Sequence, residues 1–308
     1  MEPNDLNNSL QSQTESMSLG SRSVLVVFCL VAGFAYRIII GLLSPSILQL
    51  GVLLCLSVLF LLVAVFAKKQ QTLNKYWEIP LAFFIFTVAG IFGDSNSFGS
   101  LQQAFVVNVL HETPSANNPI ASTVLGTVLG QLVSTISLVV PIILLTMASG
   151  NNLKSIFMDK SKNRWALIVG IVGFLIFYFY TASGRAQRFF PNAAVPFQHF
   201  LALTPGLIIL VLCNGLREEL WFRGLFLKKY GKFLGPFSSN MLSAFIFASF
   251  HVQVTYSRSL PIFLVMAFIQ GLILGYLMQK SQSLLASVVF HAGSDIPIFL
   301  VYLLYTKL

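Results

Sequence analysis

Charge is what this sequence has least of. Only 9% of its 308 residues are charged, and only ten are acidic, where a soluble domain carries about 25%. That shortage, with 56% hydrophobic residues, excludes a water-soluble globule. Cysteine is scarce too. The three present, Cys29, Cys55 and Cys213, are odd in number and lie within apolar runs. They rule out a disulfide framework and read as small buried hydrophobes; Cys213 has no base beside it in sequence to make it a nucleophile. A basic n-region is also missing. The first twenty residues are rich in Asn, Ser and Gln, with Glu2, Asp5 and Glu15, so residues 1–22 are expected to be a disordered cytoplasmic tail before an uncleaved span. Short alternating segments are lacking, which excludes a membrane β-barrel. The net charge of +9 does not imply a nucleic-acid partner, because the lysines and arginines fall between the apolar runs.

Long continuous apolar runs are what remains, several exceeding the roughly 18 residues that argue for a membrane span. The fold class is therefore all-α, a polytopic transmembrane helical bundle of about eight or nine spans. They are placed near 24–43, 47–67, 78–94, 122–148, 165–183, 199–227, 238–255, 261–279 and 284–306. The third is short enough to be tilted or re-entrant. With the N-terminus in the cytoplasm, the inner loops receive Lys68, Lys69, Lys75, Lys154, Lys160, Lys162, Arg164, Lys228, Lys229, Lys232 and Lys280. The outer side receives Arg185, Arg188, Arg258 and Lys307, a bias that fits the positive-inside rule. Nine spans put the C-terminus outside, and the expected location is the plasma membrane, with the lipid bilayer as partner.

Within this map Arg37 is expected to snorkel from the first span. Residues 95–121 form the longest outer loop, with Asn117, Asn118 and Pro119, and with His111 and Glu112 as solvated neighbours. His199 opens the sixth span as a structural histidine. The pairs Gly126/Gly130 and Gly271/Gly275 are spaced for close helix packing.

Three late runs carry polar residues at helical spacing. The sixth holds Glu218, Glu219 and Arg223, the seventh Phe247 and His251, and the ninth His291 and Asp295. Residues four apart share a helix face, so Glu219 can pair with Arg223 and His291 with Asp295. Glu218 lies about 100° around the helix from Glu219, which leaves one carboxylate free for chemistry. Ionisable groups inside a membrane mark a functional site by default. A buried carboxylate beside imidazoles suits a general base that activates water, with His291 as a donor to an oxyanion. The same residues also suit a helix–helix lock or a transport site, so a non-hydrolytic transporter, immunity or scaffolding factor is the alternative; no inverted repeat supports transport.

Glu218-Glu219-x-x-x-Arg223-Gly224, Phe247-x-x-x-His251 and His291-x-x-x-Asp295, in that order, resemble the CPBP family, the CAAX proteases and bacteriocin-processing (Abi) enzymes. The resemblance covers roughly residues 200–300. It implies an intramembrane endopeptidase domain at 199–308 behind N-terminal transmembrane helices at 23–198. It implies that Glu218 activates water, that His251 holds that water, and that Glu219 and Arg223 organise the site. His291 and residue 295 would serve the oxyanion. The family often has Asn at that last position. Asp295 cannot donate when ionised, so it is expected to orient His291 and fix its charge. The substrate is a peptide or protein, lipidated in some relatives. No cofactor is expected; zinc would need Glu218, His251 and His291 from three spans, without His-Glu-x-x-His spacing. Glu218 falls ~13 Å and His291 ~10 Å from the inner ends of their runs, but His251 ~20 Å. A tilt, a kink or a later helix start, after Pro236, Ser238 and Ser239, would bring it level, and the site is expected to open to the cytoplasmic half.

Overall fold

A computed structural model describes residues 19–307, apart from 45, 115–117, 119, 192, 194 and 305. Residues 1–18, most of the expected tail, lie outside the described residues, as do Asn117 and Pro119. Residues 19–22, also assigned to the tail, already belong to the first helix. The helices are α1 (Leu19–Leu42), α2 (Ser46–Lys69), α3 (Glu78–Gly93), α4 (Asn96–Asn108), α5 (Val124–Ala148), α6 (Arg164–Ala182), α7 (Phe197–Glu218), α8 (Leu227–Ser249), α9 (Leu260–Ser281) and α10 (Leu285–Leu303). Between α7 and α8 the chain makes a π-helical turn, Glu219–Gly224. No strand occurs among the described residues. The chain is an integral membrane helical bundle.

Eight segments among the described residues are long and apolar enough to cross a membrane, one fewer than the nine runs placed and within the expected eight or nine. The difference lies at 238–255. There α8 begins on Lys228, Lys229 and Lys232, breaks at Gly235 (φ 73°, ψ 175°), restarts at Pro236 and stops at Ser249. Gly235 occupies a backbone region that residues with a Cβ rarely enter. No uninterrupted apolar helix is left there. The short third segment, α3, is apolar all round and buried on nearly every side, as such a helix must be.

Backbone hydrogen bonds tie together two ends of the bundle. At the lysine-rich end Lys162 N donates to Ser281 O (2.9 Å) and Leu284 N to Phe157 O (3.1 Å), and the Lys228 ammonium lies 4.2 Å from the Phe157 ring centre. At the opposite end Arg258 N donates to Phe189 O (3.3 Å), and Lys307 N to Ser122 O (2.9 Å). Glu112 also acts here. It is not the free solvated residue expected: its carboxylate accepts from Ser122 N (3.0 Å), Thr123 N (3.1 Å) and both hydroxyls, at the start of α5. Burial raises its pKa, but these hydrogen bonds outweigh that and hold it below the usual carboxylate value.

Apolar burial drives little association between helices in lipid, so close packing and polar contacts must serve. Small residues allow it. A Cβ on Gly293 of α10 would come within 2.5 Å of Phe174 Cα in α6, and one on Gly215 of α7 within 2.9 Å of Val288 O in α10. These approaches wedge α10 between α6 and α7. An aromatic cluster fixes α3 to the turn after α7: Phe86 stacks on Trp221 at 4.6 Å, and Trp221 Nε1 donates to Phe86 O at 2.9 Å. Cys29 is buried and Cys213 half-buried, but Cys55 is exposed, unlike the buried hydrophobe expected.

Candidate active site

The turn Glu219–Gly224 places the first carboxylates. Leu225 N donates to Leu220 O, five residues back, at 3.1 Å; such widened turns recur at functional sites. Glu219 and Arg223 remain on one side and pair at 2.7 Å, both with fully buried side chains. The Arg223 guanidinium also lies 3.9 Å from the Phe247 ring centre, which makes Phe247 part of the arginine's cradle. Its Nε and Nη2 have no hydrogen-bond partner among the described residues.

Glu219 is saturated. Besides Arg223, its Oε1 lies 2.8 Å from His291 Nδ1, and its Oε2 accepts from the Ser287 hydroxyl. A carboxylate bound to arginine accepts only, so His291 Nδ1 carries a proton. His291 Nε2 then faces Glu218 Oε2 and Asp295 Oδ1, each at 3.6 Å. Asp295 therefore is not the tightest partner of His291, as expected from the sequence; Glu219 is. Glu218 keeps some exposure and accepts one hydrogen bond, from Asn214 Nδ2 at 3.1 Å. The same amide donates to Asp295 Oδ2 at 2.9 Å.

His251 follows the kinked α8, and its Nδ1 lies 3.0 Å from Phe247 O. A carbonyl only accepts, so that nitrogen donates and the neutral ring keeps Nε2 as an acceptor. The break at Gly235 supplies the kink needed to raise His251 to the level of Glu218, and both line one cavity with His291 and Asp295. Asn214, Ser287 and the Gln270–Ser294 hydrogen bond (2.7 Å) were not singled out from sequence. A lone Asn or Ser in an apolar run carries no spacing signal.

The cavity holds about 560 Å³. Its lining includes Phe189, Phe190, Tyr256 and Tyr302, from the end opposite the lysines, so it does not extend toward the half expected from the sequence. One flank lies between α6 and α9, where Ile176 (62%), Met266 (39%) and Ile269 (51%) are exposed. Among the described residues no three His, Cys, Asp or Glu side chains are grouped to hold a metal. Glu219 takes only His291 Nδ1, a support that a ligating imidazole can also have, so His291 Nε2 and His251 Nε2 both remain available on the side of Glu218.

Residues 200–296 match the family model described as Type II CAAX prenyl endopeptidase Rce1-like. This segment is similar to the Rce1-like domain of the CPBP family. The matched segment contains most of α7, the π turn, α8, α9 and most of α10, and so Asn214, Glu218, Glu219, Arg223, His251, His291 and Asp295. The helices before it contribute Ile176 and Phe177 of α6 to the cavity. No curated protein and no solved structure matches the chain.

Proposed function

We propose that this chain is an intramembrane endopeptidase in which Glu218 activates the attacking water. The observation that carries the reading is the inequality of the two adjacent glutamates: Glu219 is fully engaged, while Glu218 faces the cavity with one hydrogen bond. Glu218 takes a proton from water as hydroxide attacks the peptide carbonyl carbon. His251 Nε2 accepts the water's other hydrogen. His291 Nε2, flanked by two carboxylates, holds a proton and donates it as a hydrogen bond to the oxyanion. The proton on Glu218 then passes to the leaving nitrogen as the C–N bond breaks. No step uses a metal. Glu219, Arg223 and Asp295 position these groups.

The apolar lining and the lipid-facing flank between α6 and α9 suit a peptide with an apolar or lipidated tail. We assign the lysine-rich end and the N-terminus to the cytoplasm on the positive-inside rule, and the protein to the plasma membrane.

The test is cleavage of prenylated and unprenylated peptides by purified protein in nanodiscs, wild type beside Glu218→Gln, with and without chelator. Loss in the variant alone, at unchanged Tm, supports the reading. Full activity in Glu218→Gln overturns the mechanism, and activity lost to chelator and restored by zinc overturns metal independence. A Glu218→Gln variant that alters proton-coupled flux while neither protein cleaves would favour the transport alternative.

A further inference from the structure

A second cavity, about 290 Å³, touches another face of α7. Its polar lining comes from Gln102 and Gln103 of α4, Gln131 and Ser134 of α5, and Arg217 of α7. Gln131 is only 5% exposed, and its Nε2 has no hydrogen-bond partner among the described residues. Arg217 Nε is likewise unpartnered, while its Nη1 donates to Ser134 Oγ (2.8 Å) and its Nη2 reaches Asp94 (3.3 Å). Buried donors without acceptors are costly in a bilayer, where lipid offers none. Small polar molecules with lone pairs relieve that cost, and a roomy polar cavity holds water.

Hydrolysis consumes one water per turnover, yet the cavity in front of Glu218 is lined mainly by aromatic and aliphatic side chains and flanks lipid. The polar cavity reaches from residues 99–103 to Arg217, the residue immediately before Glu218. We propose that this second cavity is the water inlet of the site. Substrate and water then approach α7 from different faces, the first through hydrocarbon and the second along amides and a guanidinium. This rests on the hydrolytic reading, but access of water to the cavity does not require turnover.

The first arm is cysteine accessibility, with Cys29, Cys55 and Cys213 replaced by Ala and the protein in nanodiscs. Ser134→Cys should react with a small, permanently charged methanethiosulfonate at a rate near that of Gln103→Cys at the mouth, and Ile176→Cys, facing lipid, should react far more slowly. The second arm is kinetic. Gln131→Leu with Ser134→Leu should lower kcat about tenfold or more at unchanged KM and unchanged Tm, and Gln131→Asn with Ser134→Thr should restore the rate. An unreactive Ser134→Cys beside a reactive Gln103→Cys overturns the inlet, whether or not the enzyme cleaves. So does full kcat in the doubly apolar variant. Failure of the hydrolytic reading would show separately, as absent cleavage by wild type with Ser134→Cys still reactive.

Discussion

His291 donates from Nδ1 to Glu219 at 2.8 Å. The imidazole is thus held by the carboxylate next to the proposed base, across from α10 to the end of α7, and less tightly by Asp295, four residues along its own helix. A ring fixed at one nitrogen leaves the other correctly aimed, which is the purpose of a supporting partner.

Glu219→Gln should therefore cost far more activity than Asp295→Asn. The expected losses are over a hundredfold in kcat for the first and within about tenfold for the second, on the scale of losing an orienting hydrogen bond. Peptide cleavage by the two purified variants checks this, and equal losses would return the orienting role to Asp295.

Arg223→Ala should destabilise by about 3–5 kcal/mol, because it strands the buried Glu219 carboxylate. Replacing both partners, Glu219→Leu with Arg223→Met, should cost much less than the single change. Thermal unfolding in detergent measures both; a single variant as stable as wild type would show that the pair is not the lock described.

Asn214→Leu should lower kcat about tenfold or more without raising KM, since the amide holds Glu218 and Asp295 side by side. Asn214→Asp should be worse, because it sets a third carboxylate among two. A KM effect alone would make Asn214 a substrate contact instead.

Lys229 lies at the lysine-rich end, only 5% exposed, and burial pushes its ammonium down to about 8 despite the attraction of Glu78. The unfolded chain keeps the ordinary value of 10.5, so the charged form is disfavoured only in the fold. Stability should rise as pH climbs through about 8 toward 10.5. Lys229→Met should raise Tm at pH 7, with the gain shrinking over that window. A gain independent of pH would point to packing alone.

Much of the architecture is legible in sequence because a bilayer writes it as length and hydropathy: most helices fall where the apolar runs are. At a rise of 1.5 Å per residue the depth of His251 calls for a tilt, a kink or a later helix start, and the break at Gly235 is the second of these. At 238–255 the helix is broken at Gly235 and ends early, at Ser249, and an irregular stretch completes the passage to Arg258 at the opposite end, which composition alone does not reveal. Motif spacing pointed to six residues that the fold brings close together, but not to which carboxylate each histidine would meet. That depends on helix rotation, as the His291–Glu219 contact shows. Contacts such as Arg217–Asp94, 123 residues apart, leave no local trace.

The π turn at Glu219–Gly224 also bears on which changes of length the chain can absorb. It amounts to one residue more than a regular α-helix needs, taken up within the turn itself. Deleting a single residue there would let the backbone close as an ordinary turn, and Glu219 and Arg223 would lose their present places beside His291 and Phe247. The connection at 70–77, between α2 and α3, lies away from the site and can take such changes more readily. Variation in length among proteins built this way should therefore gather in such connections and be absent from the six residues that carry Glu219 and Arg223 at the end of an apolar run.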